Sequence, residues 1–181
     1  SLANVPTKHA VTLHTAFSQE DYRGKETLKK IYTQVCTWLY PKADYIVAVS
    51  NAVARDSQDY FKLKRPIKVI YNPVVTPALY SKSSAEVEHP FYKHKDAPVL
   101  LAIGRLSAQK DFSTLLRGFA ELRKTQKAKL LILGEGEERE LLESLAKDLN
   151  LGDDLSMPGF VDNPYPYIKN ADALVSSSAW E

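Results

Sequence analysis

Five apolar residues in a row, Val99 to Ile103, stop at Gly104, and eight positions further on an amphipathic repeat begins. A run that short and that uniformly apolar suits a strand buried on both faces of a parallel sheet. Phe112, Leu115, Leu116, Phe119 and Leu122 then recur at helical spacing, and Asp111 is placed to cap the helix they predict. The pattern returns once: Lys129 to Leu133 stops at Gly134-Glu135-Gly136, after which Leu141, Leu142, Leu145, Ala146 and Leu149 mark a second helix. Strand, glycine turn and helix in succession confine this part of the chain to the α/β class, because parallel strands need a crossover and a helix supplies it.

The remaining segments fit the same grammar. Ala10 to Leu13 reads as a short strand ending at His14, and Leu28, Ile31, Tyr32, Val35, Trp38 and Leu39 line one side of a helix predicted over Lys25 to Leu39, as a packing face. Arg23, Lys25, Lys29 and Lys30 crowd its start, against the preference for acids there. Tyr45 to Val49 predicts a strand, Ser50-Asn51 a cap for a helix to about Phe61, and Ile67 to Tyr71 another strand, which together make one right-handed βαβ unit. Ser50 and Asn72 at strand ends are accounted for by capping and turn formation. Between Val74 and Ala97 the periodicity fails among prolines, serines and alternating charges, so a connector is expected. Tyr80, Phe91 and Tyr92 predict that it packs on a surface. Leu155 to Met157 and Ala173 to Ser176 complete the expected strands.

Composition enters here because it excludes alternatives. A chain of 181 residues, 44% hydrophobic, can bury one large or two small cores. The net charge of +2, with basic residues spread among 22 acids, provides no bulk argument for nucleic acid. Cys36 is the single cysteine, which rules out an internal disulfide, fits a reducing cytoplasm and suits core packing. No apolar run approaches the ~20 residues a membrane span needs, and the start lacks a signal-peptide pattern, so a soluble or peripheral protein is expected.

The chemistry is expected at the turn after Ile103. A helix that follows a parallel strand aims its free N–H groups and positive dipole end at the carboxyl edge of the sheet, where an anion is favoured. Arg105 and Lys110 lie in that turn. A guanidinium grips phosphate oxygens bidentately and an ammonium adds a point charge, each bond being worth roughly 1.5–3 kcal/mol. A diphosphate site is one reading; two solvated turn residues is the other. The glycines at 134 and 136 allow close backbone approach to a ligand, though G-x-G alone is a weak signal.

The motif G-R-L-S-x-x-K-D-F-S-T-L-L at 104–116 resembles the donor-diphosphate motif of the retaining nucleotide-sugar glycosyltransferases of group 1 (family 4), which have the GT-B fold. L-L-I-L-G-E-G with E-R-E-L-L-E-S-L-A, then M-P-G-F-V-D, then A-D-A-L-V-S-S-S-A-W-E are similar to that family's later blocks, in its order. T-L-H-T, A-D-Y-I-V-A-V-S-N and I-K-V-I-Y-N-P-V match more loosely. The resemblance implies two Rossmann-like, doubly wound, mostly parallel halves, both incomplete: 1–75 as the end of the acceptor-side domain, 76–97 as connector, 98–181 as part of the nucleotide-sugar domain. It implies a diphosphate site at Gly104, Arg105 and Lys110, a base site at Gly159, Phe160 and Val161, cleft positions at Gly134 and Gly136, and His14 and Glu181 near the donor sugar. For Gly159 to Val161 a plain turn with Phe160 in the core is the alternative. In the family the residue matching Glu181 is the first glutamate of a pair separated by seven residues; only the first is present here.

The implied reaction moves a sugar from a UDP- or GDP-linked donor to a carbohydrate or lipid-linked hydroxyl, without cofactor or metal; no Asp-x-Asp pair occurs. Departure of the leaving group on the face that the acceptor enters is the family's account. A cytoplasmic protein is implied, with peripheral contact at the inner face of the membrane through the basic helix start set against a merely solvated face. The 181-residue chain, expected to be an interior piece of a protein roughly twice as long, is expected to turn over no sugar nucleotide. A nucleotide-sugar 2-epimerase of the same fold and a non-catalytic nucleotide-binding remnant stay open.

Overall fold

The computed structural model describes residues 7–19 and 26–180, and the chain divides into two compact units, Ser1–Val74 and Val75–Glu181. In the first, β1 (Ala10–Leu13), α1 (Glu26–Leu39), β2 (Tyr45–Ala48), α2 (Asn51–Tyr60) and β3 (Lys68–Val69) alternate, and the strands pair in parallel in the order β1-β2-β3. Ser50 caps α2 by accepting from the Val53 amide at 3.2 Å. The core gathers Leu13, Ile46, Ala48, Val53 and Phe61 around the edge-on rings of Phe17 and Tyr40, with Cys36 buried among them.

Helix α1 departs from its expected packing role. Cys36 is its one buried residue, whereas Leu28, Ile31, Tyr32, Val35, Trp38 and Leu39 are all exposed, Leu28 and Trp38 to about 60%. The helix docks instead along the line of Cys36, Thr33 and the ring of Tyr32, which stacks on Phe17. Apart from Tyr32, the apolar stripe therefore faces away from the described core. Arg23 and Lys25 lie outside the described residues.

The second unit opens with two short helices where the failed periodicity predicts a connector: α3 (Pro77–Ser83) and α4 (Pro90–Lys93). Phe91 and Tyr92 pack as expected, but Tyr80 is 65% exposed. Then come β4 (Val99–Ile103), α5 (Phe112–Arg123), β5 (Lys129–Leu133), α6 (Arg139–Asp148), β6 (Leu155–Gly159), α7 (Tyr165–Asn170) and β7 (Ala173–Leu174). All four strands are parallel, in the order β6-β5-β4-β7.

Period-two alternation divides the sheet's two faces. Ala102, Leu130 and Ile132 meet Phe112, Leu115, Leu116 and Phe119 of α5 and Leu142 of α6; Val99, Leu101, Leu131 and Leu133 meet Phe91, Tyr92 and Tyr167 from α4 and α7. Burying each large side chain of α5 contributes about 1.5–3 kcal/mol. Both faces are covered, which is why β4 and β5 read as unbroken apolar runs. Asp172 fastens the start of β4 by accepting from the Val99 amide at 2.7 Å and from Lys95 at 2.8 Å.

Candidate functional site

In the second unit the chain winds outward from β4 through β5 to β6 and then returns to place β7 on the other side of β4. The carboxyl end of β4 is thus a topological switch point, where open α/β sheets leave a crevice for ligands. Gly104 and Arg105 stand at that point.

The turns beyond three strands are joined by backbone hydrogen bonds. Gly104 donates to Leu133 O at 3.0 Å, Leu106 to Glu135 O at 2.9 Å, and Gly134 to Gly159 O at 2.8 Å. Gly134 has φ near +147°, and a Cβ there would run into the Gly104 carbonyl oxygen. A Cβ at Gly136 would likewise run into the Leu106 carbonyl oxygen. These two glycines thus let the neighbouring turns of the chain approach one another closely.

A cavity of about 530 Å³ opens above these turns. Gly104, Arg105, Gly134 and Glu135 line one side, and Phe160, Val161 and Asp162 the other. Gly136, Gly159 and Lys110 are not among its lining residues. Phe160 is 75% exposed, which removes the core role held as its alternative; Val161 leans on the core below.

Arg105 projects into solvent and pairs with Glu137, whose Oε2 lies 3.2 Å from both Nε and Nη2. Lys110 folds its aliphatic stem over Gly104, with Cγ 3.3 Å from where a Cβ of residue 104 would sit. The same turn is stitched to the segment after β7: Ser177 donates to Lys110 O at 2.8 Å and the Ala179 amide to Gln109 O at 2.9 Å. Both cations are thus brought to the Gly104 turn. The start of α5 is capped as its sequence predicts: Asp111, at φ +43°, accepts from the Thr114 amide at 3.2 Å.

Sequence reasoning assigned no role to Arg139, although it organises this edge. Its guanidinium meets the Glu135 carboxylate through Nε at 2.7 Å and Nη2 at 2.5 Å. That contact holds the Glu135 carboxyl below the usual carboxylate range and raises Arg139 in turn. The signal was the spacing of Glu135, Arg139 and Glu143 by four residues along a helix start. Glu137, the partner of Arg105, was missed as well; only proximity in space reveals it.

His14 lies in the first unit, exposed just past the carboxyl end of β1. Glu181 lies outside the described residues. Among the described residues no group of three or more histidine, cysteine, aspartate or glutamate side chains could hold a metal ion, and no helix is long and apolar enough to cross a membrane.

Residues 84–181 match the family model described as Glycosyl transferases group 1, and residues 2–76 match that of Glycosyltransferase Family 4. An uncharacterized glycosyltransferase of Methanocaldococcus jannaschii is 32% identical over 155 residues, 84% of this chain and 38% of that protein. The N-acetylgalactosamine-N,N'-diacetylbacillosaminyl-diphospho-undecaprenol 4-alpha-N-acetylgalactosaminyltransferase of Campylobacter jejuni is 33% identical over 144 residues, 79% of this chain and 37% of that protein. The chain thus spans about two fifths of the length of these relatives. Among solved structures, HepE of Anabaena in complex with UDP superposes with a TM-score of 0.70 at 17% identity, covering 93% of this chain and 46% of that one. TarM of S. aureus gives 0.70 at 18%, covering 98% and 34%. At these identities the likeness is one of fold.

Proposed function

We infer, since this chain belongs to the group 1 glycosyltransferases of family 4 and its two units are GT-B Rossmann-like halves, that the whole protein moves a sugar from a UDP- or GDP-linked donor to a hydroxyl acceptor with retention at the anomeric carbon. The observation that carries this reading is the guanidinium of Arg105 at the switch point, on one wall of a cavity whose other wall is an exposed aromatic ring. Small-molecule sites run from about 300 to 1,000 Å³, and this cavity lies within that range.

In this reading the base lies along Phe160 and Val161, with Gly159 supplying backbone behind them, and the diphosphate reaches Gly104, Arg105 and Lys110. To meet a phosphate, Arg105 exchanges one acceptor for another. Its exposed pair with Glu137 is worth about 0.2–1 kcal/mol. A diphosphate offers more negative charge and more acceptor oxygens than the single Glu137 carboxylate, so the exchange runs toward the donor. Negative charge on the leaving diphosphate grows as the glycosidic bond breaks, and a cation already standing there favours the transition state over the ground state. His14 and Glu181 are proposed to contact the sugar.

The acceptor is proposed to be a carbohydrate or lipid-linked hydroxyl; the name of the Campylobacter relative specifies a diphospho-undecaprenol acceptor. Cytoplasmic placement with contact at the inner face of the membrane goes with that proposal, and the exposed stripe of α1 beside Lys30 and Lys42 supports it. The 181-residue chain, about two fifths of its relatives in length, is proposed to lack turnover on its own. The test is transfer by the full-length protein from radiolabelled UDP- and GDP-sugars, with the anomeric configuration of the product read by NMR. Retained configuration is expected, with kcat/KM reduced at least about tenfold in both Arg105→Ala and Lys110→Ala. Inverted product, or epimerised donor without acceptor product, contradicts the reading.

A further inference from the structure

The two walls of the cavity come from different turns, and one side chain bridges them. Arg139, in the first turn of α6, engages all five of its N–H donors. Besides the paired contacts to Glu135, Nη2 donates to Gly134 O at 3.3 Å, Nη1 to Met157 O at 3.2 Å, and Nη1 to Glu143 at 3.1 Å. Gly134 and Glu135 belong to the wall that carries Arg105; Met157 lies in β6, two residues before the turn that presents Phe160 and Val161.

The geometry at Met157 needs such a clamp. Leu131 pairs with Ser156 but Leu133 pairs with Gly159, so β6 holds one residue more than β5 between those pairs. Such a bulge bends a strand and re-aims the residues beyond it. The Glu135 carboxylate completes the bridge by lying against Gly159, whose φ is +104° and whose added Cβ would stand 2.6 Å from Glu135 Oε1. With its side chain 25% exposed, Arg139 works largely out of solvent, where a planar fork loses less freedom per bond than a lysine would.

We propose that Arg139, locked on Glu135, is a positioning residue for the donor: it fixes the span between the wall that grips the diphosphate and the wall that carries the base. The inference rests on the nucleotide reading of the cavity. Its consequence is specific to ligands that touch both walls. A ligand that bridges them gains the second contact at a favourable effective concentration only when the span is right, whereas a ligand bound to one wall is indifferent to it.

The experiment measures binding of UDP and GDP, and separately of inorganic pyrophosphate, to the full-length protein by calorimetry and NMR, below the melting temperature of each variant; the effects given for UDP are those expected of whichever nucleotide the wild type binds. Arg139→Lys is expected to weaken UDP about tenfold and pyrophosphate less than about twofold. The double variant Glu135→Arg with Arg139→Glu is expected to stay as weak as Arg139→Lys, because a carboxylate at 139 cannot donate to the Gly134 and Met157 carbonyls. Equal weakening of both ligands, or full recovery in the double variant, overturns the proposal. Should Arg139→Lys fail to fold, Glu135→Gln decides: it keeps both carbonyl bonds, and a loss of about threefold for UDP alone is expected, with no loss overturning the proposal. A wild-type protein that binds neither UDP nor GDP overturns the nucleotide reading itself; a wild-type protein that binds while Arg139→Lys is unaffected overturns only the role of Arg139.

Discussion

Helix α5 of the second unit and helix α1 of the first carry apolar residues at the same helical spacing, yet they end in opposite environments. Phe112, Leu115, Leu116 and Phe119 are buried to within 8% against a four-stranded sheet, while Leu28, Ile31, Val35 and Trp38 stand 46–60% exposed. Periodicity records that a helix has a face to cover. It does not say what covers it. In α5 the cover is the sheet that its own flanking strands build; in α1 the described residues of the three-stranded unit cover only the line of Cys36.

The sharpest way to break this contrast is truncation on each helix. Leu116→Ala should cost about 2–5 kcal/mol by cavity formation, whereas Val35→Ala on α1 should stay within about 0.5 kcal/mol. Denaturant unfolding of the 181-residue chain reads both, and Trp38 and Trp180 place one fluorescent reporter in each unit. Comparable losses at the two sites would show that the stripe on α1 is buried in solution.

Acid should strike the second unit harder. His89 accepts the Phe91 amide on Nδ1 and donates from Nε2 to Ser156, and burial holds its pKa below the ordinary value. The folded state therefore takes up a proton less readily than the unfolded chain does near pH 6.5. Stability from this group is complete above that pH and declines as pH falls through the lower folded value. Lys127, Arg139 and Lys95 likewise hold the carboxyls of Asp96, Glu135 and Asp172 below their usual range in this unit. In the first unit, Asp44 is held down in the same way by the His9 amide. These contributions are present above about pH 4 and vanish below it. A Trp180 signal that loses stability between pH 7 and 5, with the loss abolished by His89→Gln, is expected.

A smaller effect of opposite sign separates the two faces of α5. Gly118 sits exposed in mid-helix, and a Cβ there would meet nothing within 4 Å. Gly118→Ala should stabilise the second unit by about 0.5–1 kcal/mol, raising the midpoint reported by Trp180 and leaving that of Trp38 in place.

Much of the second unit was legible because its elements are long enough to show their period. Strands β4 and β5 fall on the residues that the apolar runs mark, and Asp111 caps the helix it precedes. The short helices were hidden for a physical reason. At seven, four and six residues, α3, α4 and α7 scarcely complete the two turns that a pattern needs, and their prolines read as breakers. In the structure Pro77 and Pro90 begin their helices and Pro166 lies in the first turn of the third, where a missing N–H costs nothing. At the Gly104 turn, Arg105 and Lys110 could be picked out by their distance from Gly104 along the chain. Glu137 could not, because its role comes from lying beside Arg105 across two turns. Nor could the work of Arg139 on the Met157 carbonyl, since a bulge between two strands leaves no mark in either one's sequence.

That Arg105 grips a nucleoside diphosphate, in exchange for Glu137, is tested most directly by titrating UDP and GDP calorimetrically into the full-length wild type, Arg105→Ala and Glu137→Gln. Binding of one nucleotide by the wild type is predicted, weakened at least about tenfold by Arg105→Ala and tightened by about two- to fivefold in Glu137→Gln, where the competing carboxylate is gone. Nucleotide binding that survives Arg105→Ala unchanged, or that weakens in Glu137→Gln, would contradict it.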